Sequence, residues 1–124
     1  MAKIVNIQGA TTTYTVDLTG NENLQIQNLV INVDTTISRT IILPSIENSA
    51  ALLGLGLMHI YIYDATGNAA VNNIVVTPYI DDNINNAPIS ASFLINVNNV
   101  TADIIPISSN HWVISRLAYG WGLP

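Results

Sequence analysis

The chain has 124 residues, a formal net charge of −5 and only 9% charged residues, with 49% hydrophobic and no cysteine. Its only fixed cations, Lys3, Arg39 and Arg116, are too few to clamp a phosphate backbone, which excludes a nucleic-acid partner. The missing cysteines remove disulfides, thiolate metal sites and cysteine nucleophiles, and no apolar run approaches the roughly 18 residues of a membrane span.

The dominant hydrophobic period is two, with β-branched residues in excess, as expected of strands half buried on one face. In chain order the pattern predicts strands over residues 4–7, 12–18, 24–33, 39–43, 58–63, 74–79, 90–97, 102–107 and 112–117. Their separators, Thr19-Gly20-Asn21, Ala65-Thr66-Gly67-Asn68, 83–88, Asn98-Asn99 and Ser108-Ser109-Asn110, are rich in Gly and Asn, which tolerate positive φ. Asn68, Asn72 and Asn73 read as loop structure, because Asn bonds to nearby backbone. One departure is the segment from Ser45 to Leu57, which predicts at most one short helix near residues 45–54, with Gly54 at its left-handed C-terminal position. Leu52, Leu53, Leu55 and Leu57 would plug one end of the fold or line a subunit interface.

No repeat at a fixed spacing of about 20 to 50 residues suggests a solenoid, and no linker divides the chain. The expectation is all-β: one β-sandwich or jelly-roll-like domain over 11–117, an N-terminal anchoring strand over 1–10 and an aromatic tail over 118–124. In that tail Tyr119, Trp121 and Leu123 alternate with smaller residues, so it reads as a docking arm or as a cover over a sheet edge. The scarcity of charge, with Asn, Thr and Ser supplying the polar surface, predicts an obligate oligomer.

Catalytic chemistry is poorly provided for. His59 lies in an apolar run, His111 precedes Trp112, and no Gly-x-Ser-x-Gly segment supplies a nucleophile. Asp81 and Asp82 are adjacent, so on a strand they point to opposite faces and cannot flank one glycosidic bond; they read as a solvated turn. A pair such as Asp64 and Asp103 is the remote alternative. Asp64 with Asn68, or Asp81 and Asp82 with Asn83, offers oxygen ligands for calcium but lacks the spacing of a calcium loop. No metal ligand, cofactor or catalytic residue is therefore expected, and the protein reads as no enzyme. Sugar contact is the small-ligand activity the residues favour, through Tyr79, Asn83, Asn85 and Asn86, with Trp112 placed in the core.

The order Leu43-Pro44-Ser45, His59 to Tyr63, Asp64-Ala-Thr-Gly-Asn68, Asn72-Asn73-Ile-Val-Val-Thr-Pro78, Asp81-Asp82-Asn83-Ile84 and His111-Trp112-Val113-Ile114 resembles a β-rich module of bacteriophage fibres and capsid-surface proteins. The chain departs from that pattern where Tyr79-Ile80-Asp81-Asp82 and Ser108-Ser109-Asn110 stand in place of glycine-containing turns. The resemblance implies a homotrimer at the virion surface, made in the host cytoplasm. Its partners would be itself, a capsid or other virion protein, and a host surface glycan. A short chain with Met1 as its start suits a head fibre or capsid decoration protein. A carbohydrate- or receptor-binding tail-fibre or baseplate adhesin is the alternative.

Overall fold

A computed structural model describes residues 2–18, 28–47 and 59–119, Ala2 and residues 115–119 by their backbone only. The described residues form ten strands and no helix: β1 (Ala2–Ile7), β2 (Thr13–Thr15), β3 (Asn28–Val33), β4 (Arg39–Ile42), β5 (His59–Asp64), β6 (Ile74–Thr77), β7 (Asn83–Ile84), β8 (Phe93–Ile95), β9 (Val100–Ser108) and β10 (His111–Tyr119). They make two sheets, one in the order β1-β3-β5-β9-β10-β7 and one in the order β2-β4-β6-β8.

Pairing along the first three strands of each sheet is parallel: β1 with β3 with β5, and β2 with β4 with β6. The chain thus winds from one sheet to the other and back, stacking each turn on the last. This winding corrects the expected β-sandwich or jelly roll, whose strands would be antiparallel. It also corrects the absence of a solenoid repeat. Ala2 lies opposite Asn28 and Asn28 opposite His59; Thr13 lies opposite Thr40 and Arg39 opposite Ile74. The second turn is longer than the first in both sheets, so no fixed spacing exists for a sequence comparison to detect.

Alternation decides which side chains enter the core. In β3 and β5 every second residue is buried, through Leu29, Ile31 and Val33 and then Ile60, Ile62 and Asp64. From the other sheet Ile41, Ile74, Val76 and Ile95 join the same cluster. Each such aliphatic side chain contributes about 1.5–3 kcal/mol by leaving water. On the outside, stacked turns align like residues, and Asn32 donates from Nδ2 to Asn6 Oδ1 at 3.2 Å.

The two ends of the stack differ. At the first turn Val5 and Tyr14 are half-buried and Lys3 is exposed, at positions where the second and third turns place buried Leu29, Ile31, Ile60, Ile62, Ile41 and Val76. Burial, with help from the charge of Asp17, pushes the Tyr14 phenol up. At the other end β8 and β9 pair antiparallel to β6 and β5 and halt the winding. The β9/β10 hairpin is irregular where Trp112 lies opposite Pro106 and His111 opposite Ser108, because proline offers no N–H to the ladder.

Several boundaries shift from expectation. The predicted strand over 12–18 contracts to three residues, although Val16 N still donates to Ile42 O at 2.9 Å. The strand β7 lies inside a segment read as a turn. Residues 2–7 pair with β3 along their whole length, and 118–119 continue β10 opposite Thr101 and Val100. Residues 45–47 form no helix, and 48–54, with Leu52, Leu53, Gly54, Leu55 and Leu57, fall outside the described residues, as do Trp121 and Leu123.

Candidate functional site

Three places concentrate chemistry-bearing side chains. The first is the corner where the chain passes from the six-stranded to the four-stranded sheet, at residues 8–12, 34–38 and 65–73 in successive turns. Asp64 ends β5 fully buried. Its Oδ1 accepts from Thr35 Oγ1 at 2.6 Å and Gly67 N at 2.9 Å, and its Oδ2 from Ala69 N at 3.1 Å and Asn99 N at 3.0 Å. Burial alone would raise its pKa, but the Thr35 hydroxyl and the three backbone amides outweigh it and hold the carboxyl below its ordinary value.

Thr35, also fully buried, spends its hydroxyl proton on Asp64 and accepts from Asn68 N at 2.9 Å. Its amide donates to Thr66 Oγ1 at 2.7 Å, and Asn72 Nδ2 donates to its carbonyl at 2.9 Å. Arg39 ties the first turn to the second. Its Nε donates to Asp34 O at 2.8 Å and its Nη1 to Gly9 O at 2.9 Å and to Thr11 O. Its Nη2 has no hydrogen-bond partner among the described residues. At the rim, the amide and hydroxyl of Thr36 hold the Asp34 carboxyl below its ordinary value. The corner is a column of buried hydrogen bonds joining successive turns; its carboxylate is saturated with donors and is a poor base or ligand.

The second place is the outer face of the six-stranded sheet. His59 Nδ1 and Asp103 Oδ1 lie 2.8 Å apart, with side chains 38% and 16% exposed. The Tyr61 ring stacks on the imidazole with centroids 5.7 Å apart and planes 9° from parallel. A proton on Nδ1 shared with Asp103 leaves Nε2 as the acceptor. An oriented imidazole is half of a hydrolytic arrangement, yet no Ser or Thr hydroxyl bonds to it among the described residues.

The third place is the connection between β6 and β8, residues 78–92, which carries β7. The chain turns at once, Asp82 N donating to Tyr79 O at 2.8 Å, and closes on itself where Ser90 N donates to Asp82 O at 2.9 Å. Between these points β7 pairs parallel with β10, Asn83 opposite His111 and Ile84 opposite Trp112. Three non-glycine residues here hold positive φ: Asn85 at 54°, Asn86 at 61° and Ser90 at 64°.

Of the adjacent aspartates, Asp81 is exposed and Asp82 only 2% exposed, which corrects the solvated turn expected for both. Asp82 Oδ2 accepts from Ile46 N at 3.4 Å. Burial raises the Asp82 carboxyl above its ordinary value; Ile46 N and the Trp112 indole oppose this, and the charges of Asp81 and Glu47 reinforce it. The indole N–H favours the carboxylate but lies outside hydrogen-bond geometry, so Trp112 Nε1 has no direct partner among the described residues. Trp112 is fully buried, the core position expected of it.

The residues expected to contact sugar share this connection, with Tyr79, Asn85 and Asn86 exposed and Asn83 half-buried. Asn85 Oδ1 accepts from Ile114 N at 3.0 Å, and Asn83 Oδ1 is buried, as is His111 Nε2, both without partners among the described residues. Tyr79 is 37% exposed and Asn86 is exposed. Asp64 and Asp103 serve different networks, so they form no carboxylate pair. No group of three or more His, Asp or Glu side chains among the described residues could hold a metal ion. Sequence reasoning missed Thr35, Arg39 and the His59–Asp103 pair. Only the cross-strand register places Asp103, opposite Tyr61, beside His59.

The chain matches no protein-family model and no curated protein. Among the described residues, no helix is long and apolar enough to cross a membrane.

Proposed function

We propose that this chain is a non-enzymatic virion structural protein, a capsid-surface head fibre or decoration component that assembles as a homotrimer. The observation that carries the reading is the outer face of the four-stranded sheet. Thr13, Thr15, Thr40, Ile42, Val75, Thr77 and Leu94 occupy it, and no ionisable side chain faces out from these strands. On a chain of net charge −5, a face without ionisable groups brings less local like-charge repulsion to self-association than one that carries carboxylates. Asp17 stands only at its margin, just past β2.

Three copies packed by this face would turn the six-stranded sheets outward and cover the Ile42, Val75 and Leu94 side chains in a closed threefold assembly. The saturated hydrogen bonds around Asp64 and Thr35 suit a bracing role, since they tie successive turns together and occupy the Asp64 carboxylate. The test is solution mass by light scattering across a dilution series. The reading expects a stable species near three times 13.4 kDa; a monomer at every concentration sinks it.

A further inference from the structure

We infer that the connection between β6 and β8 is a docking knob that inserts Tyr79, Ile80 and Ile89 into an apolar groove with a basic rim on a second, different protein. The inference rests on the proposed role as a protein that braces another protein, and it names the surface that does so.

Ile80 and Ile89 are 69% and 62% exposed and Tyr79 is 37% exposed. They are not scattered. The bond from Asp82 N to Tyr79 O and that from Ser90 N to Asp82 O draw the two ends of the connection together, so all three residues flank one backbone pinch. Large apolar groups held together in water are characteristic of interaction sites, whereas single exposed ones are ordinary.

The knob is also rigid. Asn83 N donates to Asn110 O and Asn85 N to Trp112 O, each at 2.9 Å, which fastens it to β10. Asn85, Asn86 and Ser90 sit in the left-handed region, a conformation that costs energy in non-glycine residues and persists where the surroundings enforce it. A preformed apolar tip loses little entropy on docking.

Charge identifies the partner. Asp81 and Glu47 are exposed, and both act electrostatically on Asp82 at the base of the knob. A groove that receives these isoleucines therefore meets negative charge at its rim, and Lys or Arg complements it. A second copy of this chain does not provide that. It has three Lys and Arg in all: Arg39 is buried, Lys3 lies at the opposite, first-turn end of the stack, and Arg116 on β10, opposite Asp103 in the register, is a single cation and makes no basic rim.

The experiment is selection from a random-peptide display library against the immobilised full chain, followed by affinity measurement with the enriched peptides made synthetically. The expected peptides combine apolar residues with Lys or Arg. They lose at least about tenfold in affinity against the double variant Ile80→Ser, Ile89→Ser, weaken with salt and with Asp81→Asn, and bind Ile107→Ser, an exposed isoleucine at the end of β9, unchanged. Enrichment of no peptide, of peptides without basic residues, or of peptides indifferent to Ile80 and Ile89 overturns the inference. Light scattering on the double variant separates this from the proposed assembly. An unchanged mass is expected. A fall in mass means the knob joins copies of the chain, and overturns the docking partner while leaving the oligomer intact.

Discussion

Asp64 and Asp82 are the same residue at almost the same burial, 0% and 2% exposed, and the protein treats them in opposite ways. Asp64 receives four hydrogen bonds and is held below its ordinary pKa. Among the described residues Asp82 receives one long bond, from Ile46 N, and is pushed above it. Burial is common to both, so the difference comes from the number of donors converging on each carboxylate, with the charges of Asp81 and Glu47 adding to the rise at Asp82. The corner around Asp64 is tight because Gly67 and Ala69 of the turn that follows it and Asn99 of the turn before β9 aim amides at the carboxylate, and Thr35 of the preceding turn adds a hydroxyl. The connection around Asp82 is long and supplies its backbone donors to β10 instead.

Removing the two carboxylates separates the sites most sharply. Asp64→Ala strands the Thr35 hydroxyl and three amides, and we expect a loss of about 3–5 kcal/mol, read as a lowered denaturant midpoint. A loss under about 1 kcal/mol would show that the corner relaxes around the gap. Gly67→Ala attacks the same corner from its backbone. Gly67 has φ +77°, and an added Cβ would lie 2.7 Å from Asn99 Oδ1, so a cost of about 1–3 kcal/mol is expected in thermal unfolding.

The pH dependence has opposite signs at the two sites. Asp64, with a lowered folded pKa, contributes stability that is present above the unfolded value and lost as pH falls through the folded value, below about 3.8. Asp82, with a raised folded pKa, contributes stability that is full below the unfolded value and lost as pH rises through the folded one. Asp82→Asn is therefore expected to gain stability relative to the wild type as pH climbs from 4 towards 7, read by denaturant midpoints across that range. A variant less stable than the wild type at neutral pH would mean the ionised carboxylate is better served than one long bond allows. The smallest effect is expected at Ser90, where glycine removes the penalty of φ 64° and stabilises by about 0.5 kcal/mol. A clear loss of stability there would place a structural role on the Ser90 side chain.

The amino-acid sequence determined the all-β class, most strand positions and the inward-facing residues, because period-two alternation depends only on the pleat. It also marked Asn68 and Asn72 as loop structure: Asn68 O receives the amides of Val71 and Asn72, and Asn72 holds the Thr35 carbonyl. Trp112 was legible as core from its place in an apolar run. Alternation does not say which strand lies beside which, and the unequal turns left the parallel stacking of β1, β3 and β5 without a visible period. Only the tertiary structure decided that winding, and with it the partners of Asp64, Arg39 and His59, which lie up to 44 positions apart in the chain. It also decided the burial of Asp82, a residue whose neighbours spell a solvated turn. Its environment comes from Ile46 and Trp112, brought against it by the stacking of one connection on another and by the pairing of β7 with β10. Local pattern fixes what each strand shows to the core; the free energy of pairing distant strands fixes where each polar group finds its partners.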